Sequence, residues 1–178
     1  MKKILSGILL LHSTSSIAQN FELSTLRIGD FKIYMDANDA VTVAKKKLQI
    51  PTEQNDYEGK TIVKYNGELL ELEISENHFE EKNKAKFVVT HISTKSPLFK
   101  TKSGMGVGNT RTEIVETYIN MQSFEMYPDW SSVEDNGKPK LGDCFFVLND
   151  LDANTNISFK FRNNIVVEVI VSIVNEGC

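Results

Sequence analysis

The stretch from Thr101 to Met121 (T-K-S-G-M-G-V-G-N-T-R-T-E-I-V-E-T-Y-I-N-M) most constrains the fold. Gly104, Gly106 and Gly108 free the backbone, and Thr110 stands three residues before Glu113, the spacing of a capping box that opens a helix. Behind the cap, Ile114, Val115, Tyr118 and Ile119 form one apolar stripe on a short amphipathic helix. A weaker copy lies upstream. Asp36 stands three residues before Asp39, and Val41, Ala44 and Leu48 form its stripe. Asp36 and Thr110, Asp39 and Glu113, and Val41 and Val115 are each 74 positions apart. The spacing predicts two tandem units, each a short helix feeding a β-meander.

Taken in order, residues 21–35 read as a short hairpin turning at Gly29-Asp30. Asp36 caps a first helix over Ala37 to Leu48, with Lys45-Lys46-Lys47 complementing the macrodipole in its last turn, and Pro51 stops it. A strand over Thr61–Tyr65 meets Asn66-Gly67, a strong hairpin-turn signal. Leu70, Leu72 and Ile74 then alternate with Glu71, Glu73 and Ser75, and Phe87–Ile92 completes the first meander. In the second unit a loop over Ser123–Gly142 precedes strands over Cys144–Leu148, Ile157–Phe161 and Ile165–Val174. Asn163-Asn164 makes a turn. The last strand is apolar on both faces apart from Glu168 and Ser172, the pattern of a central strand.

The N-terminus predicts export. Lys2 and Lys3 precede an apolar run from Ile4 to Leu11, and Ser16-Ile17-Ala18 offers small residues before Gln19. The run stops at His12, short of the about twenty residues a membrane span needs, so no membrane insertion is expected after cleavage. The units are then a signal peptide over 1–18, a first αβ unit over 19–97 and a second over 98–178. Without Lys2 and Lys3 the basic count falls from 20 to 18 against 24 acidic residues, a net charge of −6. An acidic surface of mixed sign argues against nucleic-acid binding. Cys144 and Cys178 are too few for a disulfide scaffold. The meander order sets them at opposite sheet edges, so no bridge between them is expected.

Helix then meander, twice, predicts an α+β two-layer architecture: tandem helix-plus-antiparallel-meander repeats with helices on one face of the sheet. If the meanders join, Glu71, Glu73, Lys160, Arg162 and Glu168 lie on the open face. An entry segment, a capped helix of pattern G-x-[ST]-x-x-[ED]-[IV]-V and a meander resemble the repeat of β-lactamase-inhibitory-protein-like chains. The small outer-membrane assembly lipoproteins of the SmpA/OmlA type share that repeat. Gly108, Thr110, Glu113, Ile114, Val115 and Tyr118 carry the resemblance, with Met35, Asp36, Asp39 and Val41 as the weaker copy. It implies a tandem αβ fold whose curved sheet grips another protein without catalytic residues. No lipobox cysteine follows the apolar leader, unlike the lipoprotein branch.

Reactive constellations are weak by comparison. His78 and His91 have no second His or Cys at metal-ligand spacing. The 104–108 glycines lack the Lys-Ser/Thr of a phosphate loop, so they read as helix entry. Asp150 to Asn156 places oxygen ligands on alternate residues, but a calcium loop would need glycine at Thr155 and glutamate at Phe161. A polar turn accounts for them as well. Glu71 and Glu73 read more simply as solvated strand residues than as a carboxylate pair for catalysis. No cofactor or metal is expected, and the chain does not read as an enzyme.

What departs from a bland loop is the aromatic insert, where Phe124, Tyr127 and Trp130 cluster. Either these rings fold back on the core, or they anchor a protein interface. The expected function is an exported, non-enzymatic protein-binding module, an inhibitor or immunity-type partner. Phe124, Tyr127, Trp130, Glu71, Glu73, Lys160 and Arg162 are the candidate contacts. The alternative is a structural or assembly component of the bacterial envelope.

Overall fold

The computed structural model describes residues 20–51, 58–77 and 86–174. The expected leader and its cleavage site, His78 and Cys178 lie outside them. A two-stranded ribbon of β1 (Arg27–Ile28) and β2 (Phe31–Lys32) comes first, followed by helix α1 (Ala37–Ala44). The first meander is β3 (Glu58–Tyr65), β4 (Glu68–Glu76) and β5 (Phe87–Thr94). Helix α2 (Arg111–Tyr118) leads to β6 (Phe124–Pro128), β7 (Cys144–Asp150), β8 (Thr155–Arg162) and β9 (Ile165–Ile173). All strands after the ribbon join one seven-stranded sheet of order β3-β4-β5-β9-β8-β7-β6, antiparallel throughout.

The turn chemistry fixes these hairpins. Asn66 and Gly67 have φ of 49° and 93°, and Asn163 and Asn164 have 49° and 65°. Both central residues are left-handed, the twist that suits a two-residue hairpin and the reason Asn and Gly stand there. β9 sits at the centre of the sheet, as its double-sided apolar pattern predicts. Across the ladder, Leu72, Ile92, Val171, Ile157 and Leu148 share one row, and all are buried. This face packs against Ile28, Phe31 and Ile33 near the ribbon, Ala37 and Ala40 of α1, Ile114 and Tyr118 of α2, and Phe99. One apolar cluster runs through both halves.

The expected two-layer α+β architecture of helix-plus-meander repeats is not the fold; this is a mostly antiparallel β protein with two short helices. Each helix has eight residues, about 12 Å long, whereas seven strands span about 29 Å, so the helices cannot form a layer. Ribbon and irregular segments carrying Phe99, Met105 and Val107 cover the rest of that face. Nor do the meanders stack in repeat order, because β5 pairs with β9, last strand to last strand.

The caps behave as the spacing predicts, the helix lengths less so. Thr110 Oγ1 accepts from Glu113 N–H at 3.2 Å, and the Glu113 carboxylate accepts from Thr110 N–H at 2.7 Å. Hydrogen bonding from the Thr110 backbone, and then from its hydroxyl, holds the Glu113 carboxyl below its ordinary value. Asp36 accepts from Asn38 N–H at 2.6 Å. The expected reach of α1 to Leu48 is too long, because Lys45 turns left-handed with φ 50° and ends the helix. The lysine run therefore lies beyond the last turn, which carries no basic residue. Lys46 instead donates to the Ile62 carbonyl at 3.0 Å.

Candidate protein-recognition surface

The sheet's second face carries no helix or ribbon among the described residues. One row across it reads Lys60, Glu73, His91, Ser172, Asn156 and Asn149. The next reads Ile62, Glu71, Ser93, Ile170, Ser158, Val147 and Glu125. Lys60 pairs with Glu73 at 3.2 Å, and Ser93 donates to Glu168 at 3.4 Å. A shallow cavity of about 210 Å³ lies between Ile62, Leu69, Glu71, Ser93 and Glu168. Burial pushes the His91 imidazole below its usual value of 6.5, while Glu73 and Glu71 pull the other way. His91 is therefore held toward its neutral form.

At the far end of the sheet, Ser123–Gly142 is not simply the loop that its polar tail suggests. Phe124–Pro128 is the edge strand β6, paired with β7. All five of its residues are exposed. Phe124 stacks on Phe146 with ring centroids 5.4 Å apart, and Tyr127 stacks on Phe145 at 5.4 Å. Lys160 Nζ lies 5.4 Å from the Phe145 centroid. Phe124 and Tyr127 lean back on the sheet, as one alternative for the insert expects, yet remain 39% and 44% exposed. Trp130 does not lean back. It is 68% exposed.

Charged groups beneath Trp130 explain its position. Asp129, its neighbour, is buried and takes the Arg162 guanidinium at 2.5 Å and Lys160 Nζ at 3.6 Å. The other oxygen of Asp129 accepts from Ser131 N–H at 2.9 Å and Ser131 Oγ at 2.6 Å. Asp143, also buried, accepts from Ser132 Oγ at 2.6 Å and from Asn163 N–H at 2.9 Å. Desolvation acts to raise the Asp129 pKa, but the Ser131 and Arg162 hydrogen bonds outweigh it and hold the carboxyl far below its usual 3.8. The Ser132 hydroxyl lowers Asp143 as well. With Asp129 and Ser131 both pinned inward, the side chain between them projects into solvent.

The candidate contacts thus fall into separate groups. Phe124, Tyr127 and Trp130 gather at β6 and the loop after it. Lys160 and Arg162 lie beside them, but their charges are spent on Asp129 and Asp143. Glu71 and Glu73 lie on β4, five strand spacings from β6, about 24 Å away. Sequence reasoning missed Asp129, Asp143 and Met126. The alternation of Phe124 and Met126 with Glu125 and Tyr127, ended by Pro128, was the legible signal of a strand. Asp150 binds Thr25 Oγ1 at 3.1 Å and Ala153 N–H at 3.1 Å, as a turn would. Among the described residues no three His, Cys, Asp or Glu side chains are placed to hold a metal ion. No helix among them is long and apolar enough to cross a membrane. Comparison with family models, with curated proteins and with solved structures returned no match.

Proposed function

We propose that the chain is an exported, non-enzymatic protein-binding module whose contact centre is Trp130. The observation that carries this reading is a tryptophan 68% exposed on a loop whose flanking carboxylate is buried and salt-bridged. A solvent-facing indole on a mobile loop would have little meaning. On a loop tied at Asp129, Ser131 and Asp143 it is a preorganised anchor, and ordering costs less when a partner arrives. Val133 and Leu141 on the same loop are also exposed, 43% and 91%. Lys160 and Arg162 serve as the props of this surface rather than as its contacts. The two lysines, the apolar run and the small residues of 1–18 support export, and with it a partner in the periplasm or outside the cell.

The test compares the native chain with Trp130→Ala as bait in periplasmic extract and culture medium at mild salt. A central anchor contributes about 2 kcal/mol or more, roughly 30-fold in affinity. The expected result is a protein retained by the native bait and lost with Trp130→Ala at unchanged melting temperature. Equal retention by both baits, or no retention by either, rejects the reading.

A further inference from the structure

We propose that β6 pairs antiparallel with β6 of a second copy of this chain, with Met126 on the two-fold axis, joining two sheets edge to edge. The inference starts from the difference between the two edges of the sheet. At the β3 edge, Lys46 Nζ takes the Ile62 carbonyl and Thr61 Oγ1 accepts from Gln49 N–H at 3.0 Å. Gly59 there lies so close to Gln49 that a Cβ would run into the Gln49 carbonyl. That edge is partly covered, at Gly59 and at the Ile62 carbonyl. β6 has no such cover, and every residue in it is exposed.

Ladder parity shows what the β6 edge offers. Asp129 N–H donates to the Asp143 carbonyl and Asn149 N–H to the Ser123 carbonyl, so odd-numbered residues bond inward to β7. The N–H and C=O groups of Phe124 and Met126 therefore face outward, with no partner among the described residues, together with the Pro128 carbonyl. Pro128 contributes no donor.

A second copy matches this inventory. With Met126 opposite the partner's Met126, the two exchange N–H and C=O, and each Phe124 N–H reaches the carbonyl of the partner's Pro128. The donor that proline lacks falls at the ends of the pairing, where its loss matters least. On one face Phe124, Met126 and Pro128 meet the same apolar row in reverse. On the other, Glu125, the one charged residue of β6, falls opposite the partner's Tyr127, whose hydroxyl can donate to it. A slip of two residues in one direction would oppose Glu125 to the partner's Glu125, like charge to like charge. Because each β6 edge is used up by the same edge of the other copy, the contact is isologous and closes at two copies.

Light scattering on the full chain at submillimolar concentration should give twice the monomer mass. Met126→Pro removes an outward donor without touching the β6–β7 ladder, and should restore the monomer at unchanged melting temperature. As a second probe, Met126→Cys in a Cys178→Ser background should oxidise to a covalent dimer. Facing Cα atoms there lie about 5.5 Å apart, within disulfide reach, whereas Glu125→Cys in the same background should not link. A monomer at all concentrations overturns the proposal. So does a dimer that Met126→Pro leaves intact, or linkage through position 125 in place of 126. Trp130→Ala should leave the dimer mass unchanged, so loss of partner binding and loss of self-association are read separately.

Discussion

Replacing Arg162 with Met tests whether buried charge holds the Trp130 loop in place. The guanidinium gives Asp129 its hydrogen bond at 2.5 Å, while the 3.7 Å approach of Nε to Asp143 is too long for one. A hydrogen bond to a charged group contributes about 1.5–3 kcal/mol. Arg162 is 31% exposed, so solvent screening brings the value toward the lower end. Losing it also leaves a carboxylate 3% exposed with only Ser131 and Lys160 for compensation. We expect a cost of about 2 kcal/mol, or about 4–8 °C in melting temperature for a domain of this size. The pH dependence is the sharper readout. The native Asp129 pKa lies below its unfolded value near 3.8, so its contribution is complete above that value and is lost as pH falls through the native pKa. In Arg162→Met the depression is smaller, with Ser131 and Lys160 still acting on the carboxyl, so the gap in stability between the two proteins should be constant near neutrality and narrow below about pH 4. Trp130, the single tryptophan, reports locally: its emission anisotropy should fall in the variant before global unfolding. An unchanged melting temperature, or a gap that does not narrow in acid, would refute the reasoning.

Two further outcomes follow from the caps and the sheet. Thr110→Ala removes one half of the capping box and should cost about 1 kcal/mol in a denaturant titration; an unchanged midpoint rejects the capping role. For His91 the native pKa lies below 6.5, so the unfolded chain binds more protons between the two values and stability falls as pH drops below about 6.5. His91→Gln should flatten that slope in thermal scans from pH 7.5 to 5, and parallel curves would show that burial of this imidazole does not act on folding.

The hairpins were legible because local chemistry and tertiary structure agree there, whereas the fold class was not. Asn66-Gly67 and Asn163-Asn164 adopt the left-handed turns their residue types favour, and the alternation at Leu70, Leu72 and Ile74 is the buried face. Helix length was less legible. The stripe to Leu48 continues past the point where Lys45 turns left-handed, and Leu48 is buried without being helical. Sheet order was hidden for another reason: hairpins are written locally, whereas the β5–β9 pairing joins residues with no sequence signal of their meeting. At the recognition surface the aromatic residues stood out by composition. Asp129 and Asp143 did not, since a carboxylate in a polar loop looks solvated until the strand carrying Arg162 is placed beside it.

The sheet order also sets a timetable for folding. Ile92 and its ladder partner Val171 are 79 positions apart, while each meander closes through short turns. The local hairpins can form early, but the central seam must wait for β9, which follows every other strand in the chain. Until it arrives, β5 and β8 each lack one neighbour and the apolar row through Ile92 and Ile157 has no middle. A chain emerging from its N-terminus therefore stays loosely collapsed until β9 has been made, with two hairpin-built halves waiting for the strand that joins them.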